Sequence, residues 1–148
     1  MTGVQTCALP IDPEHPNALA PGKRPFHTII PAMILQDRQP WLCYGVMGAD
    51  MQAQGHIQVA INMIDFAMNM QEGIEAPRYR IMGGRQVALE RAIPHAVRDT
   101  LAAMGHVLAP YGDQSVSYGG GQGILIDYER GVLQGGSDYR KDGCAIGY

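Results

Sequence analysis

An α+β fold is what the sequence predicts, and three observations carry it. Two apolar runs of strand length flank a polar turn near residue 36, and three more strand-like runs lie beyond residue 106. Between them, apolar residues recur at helical spacing in two longer stretches. Strands at both ends and helices in the middle describe packed layers of sheet and helix.

The elements follow in order. Asp12 to Pro31 contains Pro13, Pro16, Pro21, Pro25 and Pro31 with Gly22. Proline fixes φ and removes a donor, so this stretch is expected to be extended and irregular. Ala32–Leu35 and Trp41–Val46 then form a buried hairpin around Gln36-Asp37-Arg38-Gln39-Pro40. Gln52 to Asn69 reads as a helix, with Ile57, Ile61, Ile64 and Met68 on one face and Val59, Met63, Phe66 and Ala67 widening it. Asp65 is its only charge, so the helix expects neighbours on most sides. Gln71–Ala76 is a short second helix stopped by Pro77, and Gln86–Leu89 is a strand. Pro94–Met104 is an amphipathic helix with Pro94 near its start and Gly105 just past its end. The tail is β: Val107–Tyr111, Gly123–Tyr128, a turn at Glu129-Arg130-Gly131, and Val132–Gly135.

Composition excludes several function classes. The 148 residues are 46% apolar and 17% charged, with 11 basic and 14 acidic groups and a formal charge of −3. A nucleic-acid binder would show a basic stripe, and none is present. No apolar run reaches about 18 residues, so no membrane span is expected. Cys7, Cys43 and Cys144 are too scattered for a disulfide framework or a zinc site. Cys43, inside an apolar strand, is expected to be a buried and inert thiol.

Spacing alone yields little chemistry. His56 has Ala60 at i+4 and no ligand partner, so it reads as structural. His95 and His106 flank a helix in ordinary polar positions, and His15 lies in the proline-rich entry. Asp138 and Asp142 suit an acid pair or two turn-forming aspartates, and turn chemistry is the simpler account. Gly119–Gly121 precedes a strand, whereas a phosphate-cradling loop must open a helix. Metal and cofactor sites are therefore not expected.

Longer motifs carry more. Pro21-Gly22-Lys23-Arg24-Pro25 leads through Phe26-His27-Thr28 to Ile29-Ile30-Pro31-Ala32. Gly45-Val46-Met47-Gly48-Ala49-Asp50 forms a glycine-containing turn before the long helix. Val59 to Arg78 runs through Asn62, Ile64-Asp65-Phe66, Asn69 and Glu72 to Ala76-Pro77-Arg78, and the end reads Gly136-Ser137-Asp138-Tyr139-Arg140-Lys141-Asp142-Gly143 through Gly147-Tyr148. In this order the four segments resemble the γ-glutamyltransferase (γ-glutamyltranspeptidase) family: its PGKRP segment, its Gly-Ser-Pro-Gly-Gly-Ser turn, its helix leading to an APR stop, and its closing SDPRxDG…GY.

That resemblance implies an N-terminal-nucleophile hydrolase, a precursor that cuts itself to expose a catalytic threonine. It implies a four-layer αββα sandwich, of which this chain would hold the C-terminal, small-subunit part and lack the N-terminal side. The threonine, with its α-amine as base, would attack a γ-glutamyl amide such as glutathione. Backbone N–H groups of Gly48 and Ala49 would hold the oxyanion, and His27 and Thr28 fall where the family has the Ser-Ser pair that binds the substrate α-carboxylate. No residue matches the threonine motif, so the chain as given is expected to be inactive without the large subunit or upstream segment of its precursor. His27, Ala49 and Tyr139 depart from the family's serine, glycine and proline. The first departure also fits an acylase for non-glutamyl amides of the cephalosporin-acylase kind; a non-catalytic binding module is the third reading. Residues 1–11, MTGVQTCALPI, resemble the in-frame translation of a sequencing-library adapter, which would place the genuine sequence at 12–148.

Overall fold

The computed structural model describes residues 12–24, 27–110 and 117–147. The adapter-like stretch, Pro25 and Phe26 of the first motif, Tyr111 and the terminal Tyr148 lie outside the described residues. The chain folds in the order β1 (Ala32–Gln36), β2 (Gln39–Met47), α1 (Met51–Ile64), α2 (Met70–Glu75), β3 (Tyr79–Gly83), β4 (Gln86–Leu89), α3 (His95–Ala103), β5 (Val107–Leu108), β6 (Gly120–Asp127) and β7 (Val132–Ser137). These elements make a mixed α+β structure with two sheets, ordered β1-β2-β6-β7 and β3-β4-β5.

The hairpin forms where the sequence suggests, closed more tightly, but it is not buried as expected: only the Leu42, Tyr44 and Val46 face of β2 is covered, and Met33 and Leu35 of β1 are exposed. Asp37 and Arg38 both take positive φ, 51° and 66°, so Gln36 pairs directly with Gln39. This two-residue turn matches the right-handed twist of the strands. In the larger sheet, Leu42 stands opposite Leu125 and Tyr44 opposite Gly123, while Gly123 pairs with Gly136 on β7. Those glycines leave room for Met70 of α2, whose Cε would lie 2.7 Å from a Cβ at Gly123. Leu42, Tyr44, Val46, Val59, Met63, Met70 and Ile74 form the core between sheet and helices. Asn69 starts α2 with a capping box: its side chain accepts the Glu72 N–H, and the Glu72 carboxylate accepts the Asn69 N–H.

Helix α1 corrects the sequence reading twice. It ends at Ile64 rather than Asn69, because Ala67 adopts φ +51° and Asn69 is already the cap of α2. Its buried stripe is Met51, Gly55, Val59 and Met63, with His56 and Gln58 beside it. Ile57 and Ile64 are exposed, 58% and 56%, so the predicted core stripe faces outward. Glycine within the true stripe explains the choice: a Cβ at Gly55 would come 2.5 Å from Val46 Cγ1. Helix and strand therefore approach through a bare backbone. Gly55→Ala gains about 1 kcal/mol of helix propensity but must displace a stiff β-branched valine, at about 1–3 kcal/mol. A lower urea midpoint is expected for Gly55→Ala, and the loss should shrink in a Val46→Ala background, measured as a double-mutant cycle.

Tyr44 donates its hydroxyl to the His56 carbonyl at 3.0 Å, and their rings lie 5.2 Å apart. Burial raises the pKa of Tyr44. Cys43 is a further correction, since it is exposed. It stands in register with Met33 and Ile124, both also exposed, on the sheet face away from the helices. Strand β3, absent from the sequence reading, lies at the edge of the smaller sheet. There Gln54 and Gln58 of α1 each bond both backbone groups of one residue: Gln54 takes the N–H and C=O of Ile81, and Gln58 those of Tyr79. Among the described residues no helix is long and apolar enough to cross a membrane.

Candidate active site

Strand β2 delivers the chain to Gly48 and Ala49, which take φ +132° and +52° before Asp50 caps α1. Two consecutive positive values turn the backbone sharply. Ala49 pays about 1–2 kcal/mol there for its Cβ. The Gly48 carbonyl accepts the Met51 N–H at 3.0 Å and the Ala49 carbonyl accepts the Gln52 N–H at 2.9 Å. Among the described residues, the N–H groups of Gly48 and Ala49 themselves donate no hydrogen bond. They lie at the positive end of a 14-residue helix, a setting that favours a negative oxygen. The Asp50 side chain makes no cap bond to that helix, and its carboxylate lies 3.9 Å from Arg80.

The turn rests on a second glycine segment. A Cβ at Gly48 would come 2.9 Å from Gly119 Cα, and one at Gly119 would come 2.4 Å from the Met47 carbonyl oxygen. Gly119 also has φ +77°. Only bare backbone fits at this crossing, which gives Gly119 its purpose.

Behind it lies an ionic cluster. Asp138 is fully buried and accepts the Gly121 N–H at 2.7 Å. It pairs with Arg78 at 2.8 Å and Arg140 at 3.0 Å, and Arg140 also pairs with Glu90. Arg78 donates further to the carbonyls of Ile74 and Tyr118, and Arg140 to those of Ile74 and Ala76. Burial alone would raise the pKa of Asp138. The N–H groups of Gly121 and Arg140 and the two guanidiniums outweigh it and hold the carboxyl below 3.8. Burial and the nearby Arg140 lower Arg78, against the pull of Asp138. For Arg140 burial also acts downward, but Glu90 and then Asp138 reverse it and raise the pKa. Asp138 thus joins neither Asp142, which is exposed, nor a turn alone, although its Oδ1 does accept the Arg140 N–H.

His27 is exposed and Thr28 half-buried. The Thr28 carbonyl accepts the side-chain Nε2 of Gln52 at 2.9 Å, which ties this segment to the first turn of α1. Gln52 was not marked by any sequence motif. Arg78 and Arg140 were visible only as motif letters, with no sign that they meet, and Glu90 lay in no motif. Among the described residues no group of His, Cys, Asp or Glu side chains could hold a metal ion. An apolar groove of about 330 Å³, lined by Ile34, Leu35, Gln36, Trp41, Met63 and Ile64, opens near the opposite end of β2, about 20 Å from the turn along the strand.

Residues 2–148 match the family model described as gamma-glutamyltranspeptidase. The chain is 35% identical over 142 residues to the glutathione hydrolase-like YwrD proenzyme of Bacillus subtilis, covering 93% of this chain and 27% of that protein. It is 33% identical to the oxamate amidohydrolase proenzyme of Klebsiella pneumoniae, over 95% of this chain and 28% of that one. The crystal structure of a cephalosporin acylase from Bacillus halodurans superposes with a TM-score of 0.75 at 42% identity, covering 95% of this chain and 26% of the acylase. The chain therefore spans about a quarter of the length of these relatives.

Proposed function

The chain belongs to the γ-glutamyltranspeptidase family, and from that premise we propose that it supplies the oxyanion turn and an acyl-recognition segment to an amide-cleaving acyl-transfer enzyme. The observation that carries this reading is the left-handed Gly48–Ala49 turn, with two N–H donors at a helix N-terminus that are uncommitted among the described residues. A threonine outside residues 12–148 attacks the amide carbonyl, and its hydroxyl proton passes through its α-amine to the departing amine. The C–N bond breaks as the ester forms, and water or an amino acid then takes the acyl group. At each tetrahedral stage Gly48 and Ala49 donate to the carbonyl oxygen, where such donors contribute most. γ-Glutamyl amides are the leading substrate class, with Thr28 and His27 receiving the α-carboxylate; an imidazole can donate to it as the family's serine does. His27 also favours a second reading, a non-glutamyl acylase. The exposed face bearing Met33, Cys43 and Ile124 suits packing against a second sheet of an αββα sandwich built with the large subunit.

The test joins this chain to the Bacillus halodurans acylase in place of the 26% it matches. In that chimera His27→Ser should raise kcat/KM for a γ-glutamyl anilide relative to a glutaryl anilide by about tenfold. An unchanged ratio removes His27 from substrate recognition. The purified chain alone should release no anilide from either substrate.

A further inference from the structure

We propose that Gln52 is a positioning residue that fixes the distance between the oxyanion turn and the acyl-recognition segment, and so sets how tightly the acyl group is held. The proposal rests on the reading of those two segments given above. Gln52 is bonded to both. Its backbone N–H donates to the Ala49 carbonyl at 2.9 Å, and its side-chain Nε2 donates to the Thr28 carbonyl at 2.9 Å. Its own carbonyl accepts from His56 Nδ1 at 2.6 Å, so the residue is held at its far side by a buried ring.

The segment it reaches has no strand ladder to hold it. Residues 27–31 form no helix or strand, Ile29 is 69% exposed, and Pro31 lacks a donor. A tie across 24 residues of sequence therefore restrains the segment where local structure does not. The two ends of the tie have different tasks. The turn is held to the first residues of α1 by backbone bonds and keeps its geometry without the side-chain bond, whereas Thr28 and His27 lose one tie that sets their distance from it. Cutting the bond should weaken recognition of the acyl group in ground state and transition state alike, which appears in KM rather than kcat.

Two variants of the chimeric enzyme test this. Gln52→Met keeps the reach and loses the donor. Gln52→Glu keeps the shape but sets a carboxylate against the Thr28 carbonyl at neutral pH. Both should raise KM about 3–10-fold, the worth of one hydrogen bond, with kcat within about twofold. Relative to wild type at the same pH, the Gln52→Glu KM should recover as pH falls toward about 4, where a protonated glutamic acid can donate. A purely structural role would put that pH dependence in thermal stability and leave KM unmoved. Unchanged KM in Gln52→Met, or loss confined to kcat, overturns the proposal. If His27→Ser shifts selectivity while both Gln52 variants match wild type, the positioning role alone fails. If His27→Ser and the Gln52 variants are all silent, the recognition segment is misassigned and this inference falls with it.

Discussion

Asp138→Asn should destabilise the fold by about 3–5 kcal/mol, the loss typical of one partner removed from a buried ion pair. Arg78 and Arg140 would keep their charges in a site where Arg78 is 1% exposed, and one oxygen that takes the Gly121 N–H would face competition from an amide. Urea unfolding measures the loss. Replacing Arg78 and Asp138 together by apolar residues should cost less than the sum of the single changes, because no charge is then stranded. The pH dependence follows from the lowered carboxyl. A group whose folded pKa lies below its unfolded value contributes stability above the ordinary aspartate range and loses it as pH falls through the folded pKa. Wild type should therefore lose stability on acidification below about pH 4, and Asp138→Asn should show a shallower acid limb. An acid limb equal to wild type would show that Asp138 does not titrate in this way.

Gly119→Ala should cost about 3 kcal/mol and, in the chimeric enzyme, lower kcat about 100-fold. Its φ of +77° disfavours any Cβ, by about 1–2 kcal/mol. The Cβ would also strike the Met47 carbonyl, a backbone atom with no rotamer to escape into. Relief must come from shifting the segment that ends in Gly48 and Ala49. A displacement near 1 Å suffices for a 100-fold loss at a reacting centre. Gly131→Ala provides the control: φ is +65° there, but nothing lies within 4 Å of the added Cβ. It should show the conformational cost and full kcat. Equal kcat in the two variants would sever Gly119 from the turn.

Much of the architecture was legible because local signals agreed with one another. The hairpin, α2, β4 and α3 emerge within one or two residues of their sequence boundaries, each marked by a turn, a cap or a proline. Failures arose where two patterns competed. Helix α1 carries two apolar stripes, and the richer one, with Ile57, Ile61 and Ile64, lost to the one containing Gly55, because close approach to Val46 counts for more than side-chain size. Asp138 gave a sound turn signal, and nothing in one sequence reveals that two arginines and a glycine N–H, up to 60 residues away, converge on it. Gly48 and Ala49 were legible through resemblance; their positive φ and uncommitted donors emerged only from the backbone. Gln52 was silent, since a helical glutamine bears no motif, and its partner is a carbonyl oxygen that every residue possesses.

The glutamine pair on α1 has a consequence for solution behaviour. An exposed strand edge is a template on which another molecule can add a strand, the first event in fibre growth. At Tyr79 and Ile81 the outward N–H and C=O groups are already occupied by the amides of Gln58 and Gln54. A second chain must break four side-chain hydrogen bonds before it can zip onto β3. The same amides should slow proton exchange at those two backbone nitrogens, so that the β3 edge of the smaller sheet faces solvent as if one more strand were present.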